Sequence, residues 1–185
     1  MLNVARQSLA VFILGALSAC AAANVTQPAY VGTFDPLTLS YIAGKGPLYT
    51  EIVGNPFLAS DEEVGEIITR TMVGAHFGPV IQFTTERDAT NPSPYRVVMV
   101  FNPAQGVDPR TMCRNSRQPT EPNTGSLRVI AALCAGADRE TSLSGSIAAV
   151  NSPDNDAFRS LIRQMTTELL PSRNPNIVGP NDFQT

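Results

Sequence analysis

The side chains of this sequence best suited to recognition chemistry are three arginines in one stretch, Arg110, Arg114 and Arg117. Each carries a planar fork of donors that matches a carboxylate or a phosphate. They make the segment 102–126 a candidate contact for an anionic partner, such as an acidic protein face, a cell-wall carboxylate or a lipid phosphate. Catalytic sets are harder to assemble. Residues 142–146 read Ser-Leu-Ser-Gly-Ser and lack the glycine-flanked serine of a nucleophile elbow, and the residue three before Lys45, the single lysine, is Ile42, so a Ser-x-x-Lys pair does not occur. Any Ser-His-Asp set has to use His76, the single histidine, which lies beside Phe77 and Gly78 at the end of an amphipathic stretch and suits a structural or surface role. The zinc-protease, phosphate-loop and dinucleotide glycine motifs are missing. Glu51, Glu86, Asp88 and Asp108 are acids of the type that glycoside hydrolysis uses in pairs. Nothing in the spacing joins them, so no catalytic residue is assigned and no cofactor is implied.

Composition narrows the partner classes. The 185 residues are 43% hydrophobic and 16% charged, which suits one ordinary globular domain. Thirteen basic residues against sixteen acidic ones leave a net charge of -3, so the positive field of a general nucleic-acid binder is missing and nucleic acid is not an expected partner.

The amino-terminal segment carries the most specific pattern. One positive charge within residues 1–6 precedes a short apolar run from Leu9 to Leu17, and small residues surround Cys20. This is the layout of a secretory signal. The tetrapeptide Leu17-Ser18-Ala19-Cys20 resembles the lipobox of bacterial lipoproteins at every motif position. A membrane-spanning helix is a poorer fit, because Ser8 to Ala23 spans only about 24 Å against a hydrocarbon core of about 30 Å. The resemblance implies that residues 1–19 are a signal peptide and that Cys20 becomes an acylated amino terminus. It implies a lipid bilayer as partner through that residue, and multiple acyl chains make such anchoring durable. In the family, Asp after the lipidated Cys favours the inner membrane; Ala21 stands here, which points to the periplasmic side of the outer membrane. With Cys20 assigned to lipid, Cys113 and Cys134 remain as an even pair in an oxidising compartment, where a disulfide is expected. It would close a loop of about 20 residues, worth roughly 3 kcal/mol, and pin the arginine-bearing segment. The cysteine spacing does not suggest zinc, since no Cys-x-x-Cys occurs and His76 is isolated.

The elements that must position these residues follow from periodicity. Residues 20–47 read as a tether, partly docked through apolar positions such as Tyr30 and Phe34, with Leu37, Leu39 and Tyr41 alternating as a strand does. A single domain over 48–170 is expected to hold five strands: Leu48 to Val53, Val80 to Thr85, Tyr95 to Phe101, Leu127 to Leu133 and Leu143 to Val150. A helix begins at the capping box Ser60/Glu63, with Val64, Ile67, Ile68 and Met72 on its apolar face and Gly74 as its stop. A second runs from a Ser152 cap with Pro153 at its first position to Pro171, presenting Phe158, Leu161, Ile162, Met165 and Leu169. Residues 171–185 read as a mobile tail. The predicted fold is α+β, an antiparallel or mixed sheet of about five strands with two helices packed on one face. The expected role is a membrane-anchored binding or accessory component of a cell-envelope assembly, partnered by an envelope protein or a cell-wall component. A small envelope glycan hydrolase and a carrier of an apolar ligand are the competing classes.

Overall fold

A computed structural model describes residues 23–30, 34–35, 37–88, 93–122 and 125–173. Cys20 and the residues beyond Arg173 lie outside the described residues, so the expected signal peptide, the expected acylation site and most of the tail expected over 171–185 fall there. The fold is α+β, with three helices and one mixed sheet of seven strands among the described residues. The strands are β1 (Asn24–Val25), β2 (Ala29–Tyr30), β3 (Leu48–Val53), β4 (Phe83–Thr84), β5 (Tyr95–Phe101), β6 (Ser126–Ala135) and β7 (Asp138–Ala148). The helices are α1 (Leu37–Gly44), α2 (Asp61–Met72) and α3 (Asp156–Leu169).

Strands lie in the order β1-β7-β6-β5-β3-β4, with β2 also on β7. The pairs β5/β6 and β6/β7 are antiparallel, whereas β3 runs parallel to both β5 and β4. A parallel pair needs a crossover, and α2 provides it between β3 and β4. Its start is fixed as the sequence predicts, by the Ser60 Oγ accepting the Glu63 N–H at 3.2 Å. Three carboxylates in the first turn face the positive end of the helix dipole. Gly74, at φ 71°, supplies the left-handed conformation that stops it.

Alternation sorts each strand into two faces. Val97, Met99 and Phe101 of β5, and Leu127, Val129, Ala131 and Leu133 of β6, point to one side and form the main core with α2 and α3. Glycine is required at 145: a Cβ there would lie 2.8 Å from Leu161 Cδ1 and Met165 Sδ, so its absence lets α3 sit close on β7. The other side carries Val98, Val100, Ala132 and Cys134, covered by Met112 and Cys113 from the connection 102–122. That connection runs down the back of the sheet and returns, closed by a bridge between Pro103 and Thr120.

Four details depart from the sequence reading. The sheet has seven strands and the fold three helices, because the stretch before residue 48 is built into the domain: β1 and β2 extend the sheet beyond β7, and Phe34, Leu39 and Ile42 are buried in the main core. The alternation at 37–41 gives a helix, since the Asp35 carboxylate accepts the Leu37 N–H at 2.9 Å and the buried pair Leu39/Ile42 has helical spacing. Only Phe83–Thr84 of the predicted strand 80–85 pairs with β3, as Thr85 turns to pack against Gly65 of α2. The cap of α3 is Asn155, whose side chain accepts the Ala157 N–H, while Ser152 caps the preceding turn at Asp154.

The sheet therefore has two distinct ends. At one, the foot, β3, β5 and β7 finish, β1 begins, and the connections 54–60 and 149–155 start the two long helices. At the other, the head, β3 and β5 begin and the β6–β7 hairpin turns. Both long helices end at the head, where the Thr167 hydroxyl donates to the Ala75 carbonyl. The helix α1 crosses the head and reaches β5 through Tyr41, whose ring lies 5.9 Å from that of Tyr95.

Candidate functional site

Two charged residues interrupt otherwise uncharged strands, Glu51 in β3 and Arg96 in β5, and both face the back of the sheet. A charge there needs partners, and the fold supplies them. Arg96 Nε lies 3.5 Å from Glu51 Oε2, with side-chain exposures of 14% and 27%. Its other nitrogens donate to the carbonyls of Gly136 at 2.7 Å and Cys113 at 2.5 Å. Ser116 donates its hydroxyl to Glu51. One guanidinium thus joins the β6–β7 hairpin, β3 and the connection 102–122.

Above this network the head opens into a cleft of about 540 Å³, lined by Tyr49, Tyr95, Arg96, Arg87, Lys45, Glu86 and Asp88 among others. Arg87 lies 5.4 Å from the centre of the Tyr49 ring, and Lys45 lies 5.4 Å from that of Tyr41. Burial pushes the Tyr49 hydroxyl above its ordinary range; Glu51 adds to the shift, and Arg87 and Arg96 oppose it. The phenol accordingly stays protonated at neutral pH and offers a donor to the cleft. A second groove of about 530 Å³ continues along the open side of β3 to the first turn of α2, sharing Tyr49 and Glu86 with the first. Aromatic faces, cations and a phenolic donor equip the cleft to bind a partly anionic, partly apolar surface.

No protein-family model matches this chain, and comparison with curated proteins finds no similar one. The reading of the site therefore rests on its geometry.

Cys113 and Cys134 are joined in a disulfide, with Cα atoms 5.5 Å apart, as expected. Arg110 lies in the turn closed by the Thr111 N–H on the Asp108 carbonyl, Arg114 in the next turn, closed by the Asn115 N–H on the Thr111 carbonyl, and Arg117 follows it; all three are exposed. None of them is in an ion pair among the described residues, and none lines the cleft. The disulfide and Arg96 nevertheless hold Cys113, and so the tip of their loop, at the head. Of the four candidate acids, Glu86 and Asp88 line the cleft, Glu51 is engaged by Arg96 and Ser116, and Asp108 caps its own turn by accepting the Arg110 N–H. Ser142, Ser144 and Ser146 line the back face of β7, in register with Ala132, Ile130 and Arg128 of β6. They are remote from His76, which is buried, bonded through Nε2 to the Pro79 carbonyl at 2.9 Å, and set edge-on to Phe83. Among the described residues no three His, Cys, Asp or Glu side chains form a metal-binding group, and no helix is long and apolar enough to cross a membrane.

Arg96, Tyr49 and the aromatic rim are residues that reading by motif passes over. The available signal was the lone charge in each of two apolar strands.

Proposed function

We propose that this chain is a lipid-anchored envelope protein, held through acylated Cys20 on the periplasmic side of a bacterial membrane, with Ala21 directing it to the outer one. Its domain works as a binding or accessory component whose head receives a protein partner. One observation carries this reading. Of the six large apolar side chains exposed among the described residues, five stand at the head: Leu37 and Tyr41 on α1, and Val73, Phe77 and Val80 in the turn after α2. Aromatic and arginine side chains are those that interfaces favour, and at the same end Tyr49, Tyr95, Arg87 and Arg96 line the cleft. The three exposed arginines of the loop that Cys113 holds at the head favour an acidic protein face as the partner surface. The disulfide supports an oxidising compartment.

The test is photo-crosslinking in intact cells from a probe at Phe77. One protein should be captured reproducibly, and Leu37→Asp with Val80→Asp should abolish capture while leaving stability within about 0.5 kcal/mol, since both side chains are surface groups. Capture unchanged by both substitutions would remove the head as the binding surface.

A further inference from the structure

The chain reaches the domain at the foot. Asn24 is the first residue of β1, and its register against Ser146 of β7, with β1 antiparallel, puts the start of that strand at the foot. Between Cys20 and Asn24 there are only three residues, so their Cα atoms are at most about 14 Å apart. The hairpin β6–β7 is ten and eleven residues long, roughly 33 Å, so the head lies more than twice that distance from the foot. From this we propose that the foot stands on the lipid headgroups and that Leu58 is its apolar contact with the bilayer. The proposal rests on the acylation of Cys20 and adds to it an orientation and a second membrane-contacting residue.

Leu58 is the one exposed large apolar side chain at the foot among the described residues, and it is fully exposed, at 105%. Its loop is not free to fold it inward. Phe57 beside it is held edge-on to Phe158 of α3 at 5.0 Å, and Asn55 accepts the Phe57 N–H while donating to Ala59 and Asp61. The arginines at this end, Arg128 and Arg159, are occupied by Glu121 and by Asp154 and Asp156. Beside Leu58 stand the exposed carboxylates Asp61, Glu62 and Glu63, so the contact is apolar on a zwitterionic surface and is weakened by anionic lipid. The same geometry points the Tyr49 cleft and the aromatic rim away from the membrane, toward a partner in the periplasm.

The chain has no tryptophan, so one introduced indole reports its own surroundings. Full-length acylated protein carrying Leu58→Trp, or Val80→Trp at the head, would be reconstituted into phosphatidylcholine vesicles with bromine in the upper acyl chains. Quenching there reaches side chains about 5–10 Å into the boundary. The Leu58→Trp emission should shift to the blue and lose most of its intensity, and that of Val80→Trp should keep nearly all of it. A spacer of about 12 Gly and Ser residues between Ala21 and Ala22, with an end-to-end length of roughly 20 Å, should restore the Leu58→Trp emission while flotation persists. If the protein floats and its intact mass shows acyl chains, yet both indoles are quenched equally or neither is, the orientation is overturned and the anchor stands. Quenching that survives the spacer overturns the short leash as its cause. A mass without acyl chains overturns the anchor and the orientation together.

Discussion

Arg96 sets the residue scale of this protein because one side chain satisfies three separate segments. Its partners are two backbone carbonyls and a carboxylate in a largely desolvated position. Truncating it leaves Glu51 without its cation and both carbonyls without a donor, and Arg96→Met should cost about 2–4 kcal/mol in chemical denaturation. Arg96→Lys should recover little of that, since an ammonium on a flexible stem cannot reach the Gly136 and Cys113 carbonyls while facing Glu51. Equal stability of the lysine variant and the parent would show that charge, and not the fork, holds the site. A different carboxylate gives the pH dependence. Burial holds Glu140 above its ordinary range, with repulsion from Asp138 adding to it. The folded state binds that proton more tightly than the unfolded one, so the contribution is present below the unfolded value and lost as pH rises through the folded value. Glu140→Gln should therefore raise the melting temperature at pH 7, and the gain should vanish below about pH 4. A gain that persists in acid would assign the effect to packing.

At the scale of elements, what the sequence made legible follows the strength of each local signal. The helices α2 and α3 carry sustained apolar stripes, and the cap at Ser60 and the stop at Gly74 were readable because side chain and backbone agree there. In α1 the alternation of Leu37, Leu39 and Tyr41 extends over too short a stretch to mark a strand, and Asp35-Pro36 ahead of them is a helix-start pattern. The strands β1, β2 and β4 have two residues each, and so short a pairing is decided by the neighbouring strand. The Tyr49 cleft gathers residues from β3, β4, β5 and their connections, so no sequence spacing encodes it. The connection 102–122 shows how covalent chemistry substitutes for periodicity: it has no repeat, yet Cys113 fixes it over Val98, Val100 and Ala132. Opening the disulfide should lower stability by roughly 3 kcal/mol, and the protection of amide hydrogens in β5 and β6 should fall more than that in α2 and α3. Uniform loss of protection would mean that the connection is not a separate cooperative unit.

For the whole molecule, the decisive problem is the two edges of the sheet. On one side β4 covers only the first two residues of β3, and α2 packs close to it through Gly65 and Thr85. On the other side β7 is eleven residues long, and β1 and β2 are what cover it. A long uncovered strand offers a row of unpaired donors and acceptors to any second strand, including another copy of itself. The segment before α1 therefore has a structural duty in addition to leading back toward Cys20. A chain shortened to begin at Gly32 should lose about 2 kcal/mol relative to one beginning at Ala21, and should associate as its concentration rises. Sedimentation at several concentrations reads the association. A lysine placed on the uncovered strand, Ser144→Lys, should return the shortened chain to a monomer without recovering its stability, because a charge blocks strand pairing but restores none of the lost hydrogen bonds. If the shortened chain remains monomeric at every concentration, β1 and β2 serve only to route the chain to the foot, and α3 packed on β7 suffices to protect that edge.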